Sequence, residues 1–158
     1  MSSSNLAWLR VGVAIALCSL AFTSCNYDVP ITSAPTRKVE QRLLGDWTSL
    51  DGKENMSVRR FDDNTYVVYY DGDFFRVYHS DVAETAFATV QDLNSSDRKY
   101  AYVLWKLSDD GKNLKLQSVN DKIVPKETKD RATVVALLTK NASNPELFGA
   151  EIEFRKEK

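Results

Sequence analysis

A mainly β fold built from antiparallel hairpins is predicted for this chain by three observations. Between residues 46 and 119 the sequence breaks into short runs rich in Val, Tyr, Phe and Trp, the residue types that favour pleated, half-buried backbone. The runs are separated by Asp51-Gly52, Asp62-Asp63-Asn64, Asp71-Gly72 and Asp109-Asp110-Gly111, which carry turn chemistry. Such short links suit hairpins, whereas parallel strands need crossovers of roughly a dozen residues or more.

The elements follow in order. Arg37–Leu44 is a short helical candidate with Thr36 as N-cap, Val39, Leu43 and Leu44 on its apolar side, and Gly45 as its stop. Strands are expected at Trp47–Leu50, Asn55–Phe61, Thr65–Tyr70, Phe74–Val82, Ala86–Asp92, Tyr100–Leu107 and Asn113–Val119. In the sixth, Ala101, Val103, Trp105 and Leu107 share one face. Thr128–Lys140 breaks the pattern. Its length favours a helix, with Ala132, Val135 and Leu138 on a face, and a buried strand is the alternative. Glu151–Arg155 alternates again, with Ile152 and Phe154 inward, and reads as the last strand.

The N-terminus has a different character. Arg10 precedes an apolar run, Val11–Phe22, and small residues then lead to Cys25. The run is shorter than the about 20 residues a spanning helix needs. It falls in the roughly 7–15 residues of a secretory signal core. The ending Phe22-Thr23-Ser24-Cys25 is similar to a bacterial lipoprotein signal, with Phe22 where Leu is usual. Cys18 fits worse, because the bulky Leu17 precedes it. The likeness implies cleavage before Cys25 and lipid chains on its thiol. Asn26, rather than Asp, after the cysteine leans toward the outer membrane facing the periplasm. Residues 1–24 are thus expected as signal peptide, 25–36 as lipidated cysteine and flexible tether, the latter from Pro30, Pro35 and the Ser and Thr around them, and 37–158 as the β domain.

Composition narrows the function classes. The chain holds 21 basic and 22 acidic residues, interspersed, so it lacks the basic footprint that nucleic-acid binding requires. After cleavage only Cys25 remains, which rules out an internal disulfide and a cysteine-ligated metal site. The domain must therefore stabilise itself by apolar burial.

Leu44-Gly45-Asp46-Trp47 after a short helix, followed by about eight strands in a meander, resembles the lipocalin and calycin-type barrels. The resemblance implies an antiparallel barrel of eight or nine strands. It also implies that Gly45 and Trp47 open the first strand, that Trp47 plugs one end, and that a late basic residue, Arg155, packs over Trp47. Across 43–156 the order FDDNTYVVYY, YAYVLWKL, NLKLQSVN, helix, NPELFGAEIEFRK is similar to a group of uncharacterised bacterial lipoproteins with lipocalin-like domains. That likeness implies fold and location, and no activity.

No constellation spells out a reaction. His79 is the single histidine, in phase with Phe75 and Val77, and reads as packing more readily than as a general base or ligand. The aspartate-rich turns lack the spacing of a calcium loop. No nucleophile elbow, phosphate loop or dinucleotide fingerprint occurs, so no cofactor is expected. The distinctive set is aromatic and aliphatic: Tyr66, Val68, Tyr70, Phe75, Val77, Tyr102 and Trp105. An eight-stranded barrel is either filled by its own side chains or holds one small ligand. These residues are thus either a core or the wall of an apolar pocket. The first fits an anchored structural or protein-interaction role with an envelope partner. The second fits a binder of a small apolar or amphipathic molecule.

Overall fold

The computed structural model describes residues 26–158; Cys25 and the signal segment lie outside them. Eight strands form a closed antiparallel barrel in which each pairs with its chain neighbours and the last closes on the first. They are β1 (Gly45–Ser49), β2 (Asn55–Arg60), β3 (Thr65–Tyr70), β4 (Asp73–Val82), β5 (Thr85–Asp92), β6 (Tyr100–Leu107), β7 (Asn113–Val119) and β8 (Phe148–Lys156). The expected mainly β meander is therefore the fold, and its strand count is eight. The turns alternate between two ends. The β1–β2, β3–β4 and β5–β6 links sit at one, here the upper rim, and the β2–β3, β4–β5 and β6–β7 links at the lower. Among the described residues no helix is long and apolar enough to cross a membrane.

The expected helix over 37–44 shrinks to a 3-10 turn at Gln41–Leu43. The reason is competition for backbone donors. Val39 N–H donates to Asp63 O at 2.9 Å and Glu40 N–H to the Tyr66 hydroxyl at 2.7 Å, so both bind the barrel instead of a helical ladder. The later helix, α1, spans Arg131–Lys140, with Asp130 accepting from Thr133 N–H as its N-cap. Its buried face is Val134 and Leu138, four residues apart, while Ala132 faces solvent.

Two apolar layers result. One fills the barrel and includes Trp47, Val58, Val90, Leu114 and Phe154. The other lies outside the wall, where Phe87, Tyr102 and Val119 meet Tyr27, Ile31, Val124, Val134, Leu138 and Leu147. The outer layer reflects strand parity. Val82, Phe87, Tyr102 and Val119, on β4 to β7, point away from the barrel axis and are apolar too, and α1 with its flanking loops covers them.

Residues 27–36 belong to that cover. Instead of a free tether they form a strap docked on the wall. Tyr27 exchanges two backbone hydrogen bonds with Tyr100, at 3.0 and 2.9 Å. The Tyr102 and Tyr78 hydroxyls donate to the carbonyls of Val29 and Thr32 at 2.6 and 2.7 Å. Thr36 N–H donates to His79 O, and its hydroxyl accepts from Asp81 N–H. The physical cause is legible in the alternation Tyr27, Val29, Ile31, whose apolar side chains join the outer layer.

Candidate functional site

Strands β3, β4 and β6 carry the candidate pocket wall. Tyr66, Val68, Tyr70, Phe75, Val77 and Trp105 all point inward, as period-two alternation demands, and none is more than 7% exposed. They belong to one contiguous cluster. Val77 is the cross-strand partner of Tyr66, and Phe75 of Val68. The Tyr66 and Trp105 rings lie 6.1 Å apart and those of Tyr70 and Phe154 6.2 Å, within the range of aromatic pairs.

Tyr102 does not join them. It sits between Ala101 and Val103, both inward, so its ring faces out. There it stacks on Tyr27 with centroids 4.0 Å apart and an interplanar angle of 21°. Burial, with the nearby Tyr27, pushes its hydroxyl well above the ordinary phenol range. Placing Tyr102 with Trp105 breaks the parity rule, since three positions separate them.

The interior has two polar ends. At the upper rim the Tyr70 hydroxyl donates to Glu54 Oε2 at 2.6 Å. Burial and that carboxylate together raise the Tyr70 pKa, because both penalise the phenolate. Ser49, inward on β1, accepts from Glu54 N–H at 3.0 Å and donates to Asp51 at 2.6 Å, folding the β1–β2 turn over the opening. At the lower end His79 stands edge to face with Tyr66 and Trp105, at 5.6 and 5.9 Å. Burial lowers its pKa to about 4, the Arg37 charge adds to the drop, and Asp81 and Glu40 oppose it. His79 is therefore a neutral imidazole in an aromatic box near pH 7. Trp105 Nε1 in the same box is buried without a hydrogen-bond partner.

Trp47 lies in β1. It is fully buried, and its Nε1–H donates to Leu43 O at 3.0 Å. The basic residue over it is Lys156, not Arg155. Lys156 is the cross-strand partner of Trp47, whereas Arg155 pairs with Thr48 and is exposed. Lys156 Nζ lies 5.2 Å from the indole centroid. Gly45 is required beside it: its φ is +138°, and a Cβ there would come within 2.9 Å of the Lys156 side chain.

Titratable groups outside the barrel form exposed ion pairs, such as Lys115 with Glu151 and Glu153 and Arg59 with Asp46. Among the described residues no group of three or more His, Cys, Asp or Glu could hold a metal ion. The aspartates singled out in turns cap them. Asp62 accepts from Asn64 N–H and Asp110 from Lys112 N–H, at 2.8 and 3.0 Å. A groove of about 270 Å³ lies on the outer wall beside Tyr27, Tyr102 and Asn120. Its hydroxyls are already committed, Tyr27 to Val124 O and Tyr102 to Val29 O.

No protein-family profile, curated protein or solved structure matches this chain. The strap, the outer layer and Lys156 were not found by reading the sequence, although the Tyr27, Val29, Ile31 alternation was a usable signal for the first.

Proposed function

We propose that this protein is a lipid-anchored envelope lipoprotein, processed before Cys25 and held on the membrane by acyl chains on that thiol. Its β domain serves a structural or protein-interaction role. The observation that carries the reading is the signal ending Phe22-Thr23-Ser24-Cys25, placed just before the first docked residue, Tyr27. Each buried methylene contributes about 0.8 kcal/mol, so two or more chains make attachment effectively permanent. Asn26 favours the outer membrane facing the periplasm. Side chains that fill the barrel support a scaffold over a carrier, because the residues that would line a pocket pack on one another instead.

The test is metabolic labelling in a bacterial host. Labelled palmitate enters the wild-type chain and not Cys25→Ser, which stays uncleaved or soluble. Equal labelling of both refutes the anchor. The scaffold half is tested with the soluble domain and an apolar fluorescent probe. Absence of saturable binding is expected, and one-to-one binding weakened by Phe75→Ala would restore the carrier.

A further inference from the structure

We propose that the upper rim of the barrel lies against the lipid surface, with Phe74 and Tyr69 seated among the headgroups. This rests on the anchored reading above, and its first support is reach. Cys25 is two residues before Tyr27, and two residues span at most about 7 Å. Tyr27 is fixed to Tyr100, where β6 leaves the upper rim. Acyl chains on Cys25 therefore enter the bilayer next to that rim, with no slack to let the domain turn over.

The second support is where exposed apolar side chains fall. Among the described residues, four large hydrophobic side chains are exposed: Leu50, Phe61, Tyr69 and Phe74. Three of them are at the upper rim, and only Phe61 is at the lower. Tyr69 and Phe74 are cross-strand partners whose rings lie 5.0 Å apart, so they form one apolar surface rather than scattered singles. Phe74 is half exposed, at 51%.

The third support is continuity between that pair and the anchor. Leu93 N–H donates to Phe74 O, Asp92 N–H to Lys99 O, and Tyr100 N–H to Tyr27 O. The row Phe74, β5, β6, Tyr27 is thus hydrogen-bonded across, and three strand spacings put Phe74 within roughly 15 Å of the anchored segment. Asn94 locks the loop in place by accepting from Phe74 N–H and donating to Phe74 O, at 3.0 and 3.1 Å. Aromatic side chains suit the headgroup region, where an apolar ring meets a wet boundary. The loops of the rim carry more acidic side chains (Asp51, Glu54, Asp71, Asp73, Asp92 and Asp97) than basic ones (Lys53, Arg98 and Lys99). Lipid is therefore met through the apolar pair, not through the attraction that draws a basic patch to anionic headgroups and that salt screens.

The experiment uses the full chain, expressed with labelled palmitate and reconstituted into phosphatidylethanolamine–phosphatidylglycerol vesicles that carry a headgroup nitroxide lipid. Phe74→Cys and Phe61→Cys each add one free thiol for a fluorophore, at exposed positions on opposite rims. With palmitate on Cys25, the dye at 74 is expected to lose most of its emission, with no recovery as salt is raised, and the dye at 61 to keep it. Palmitate on Cys25 with no quenching at 74, or with quenching at 61 instead, overturns the orientation and leaves the anchor standing. No palmitate on Cys25 removes the anchor and the orientation with it.

Discussion

Lys156 stands directly across β1 from Trp47 and closes the lower end of the barrel over it. Its ammonium lies over the indole at 5.2 Å and donates to Arg42 O at 2.6 Å, and its stem covers Gly45. The 3-10 turn, the first strand and the last strand are thereby joined at one point.

Removing the indole should cost roughly 3–5 kcal/mol, as for other large buried aromatics. Lys156→Met should cost about 1–2 kcal/mol, from a cation–π contact and one hydrogen bond. Arg155→Met, at an exposed position, should stay within about 0.5 kcal/mol. Urea melts of the three variants check the order. A melt in which Arg155→Met is the costlier lysine-or-arginine change would mean that the register of β8 is shifted by one.

The β4–β5 turn stores strain that can be relieved. Ala83 and Glu84 both hold positive φ, 47° and 66°, in a two-residue hairpin link. The equivalent β3–β4 link uses Asp71-Gly72, which suits that geometry. Replacing Ala83-Glu84 by Asn-Gly should stabilise the domain by about 1 kcal/mol. The denaturation midpoint should rise with an unchanged urea dependence, and a midpoint at or below wild type would sink the claim.

His79 should make stability fall on mild acidification. Its folded pKa, about 4, lies below the unfolded 6.5, so the unfolded chain binds the extra proton between those values. The contribution is whole above pH 6.5 and is lost progressively as pH falls toward 4, on the order of 3 kcal/mol in all. His79→Phe keeps an aromatic ring and removes the proton site. Its stability should change less than wild type's between pH 6.5 and 4, and parallel pH profiles would show that the imidazole titrates freely when folded.

The strap predicts a graded pair of effects. Tyr27→Phe keeps the stack on Tyr102 and loses the hydroxyl bond to Val124 O, which should cost about 1 kcal/mol. Tyr27→Ala loses both and should cost about 3 kcal/mol. Thermal melts of the soluble domain that cannot tell either variant from wild type would make residues 27–36 a loose leader after all.

Much of the barrel was legible because strand signals are local. Thr65–Tyr70, Tyr100–Leu107 and Asn113–Val119 begin and end where the sequence reading puts them. Six of the seven candidate wall residues point inward for the same reason. The misses share a different cause. Tyr102 and Arg155 each sit one step out of phase, and a single step reverses the face of a strand residue. The 3-10 turn and the strap depend on partners far along the chain, Tyr66 for Glu40 and Tyr100 for Tyr27, which no window around residues 27–44 contains. Prolines at 30 and 35, with the Ser and Thr around them, gave the reading of a flexible tether, and nothing in that composition shows the wall the segment lies against.

The pairing of β1 with β8 also sets when folding can finish. Gly45–Ser49 finds its second neighbour only when Phe148–Lys156 is available, so the closing contact waits for nearly the whole chain. Bringing two such distant segments together closes a long loop, whose entropy must be met before the contact forms, and this slows the final step. A ribosome still synthesising residue 120 holds a chain with an open, unclosed sheet. If the first residues act as the export signal proposed above, that delay would keep the chain threadable through a translocation channel, with the barrel completed on the far side.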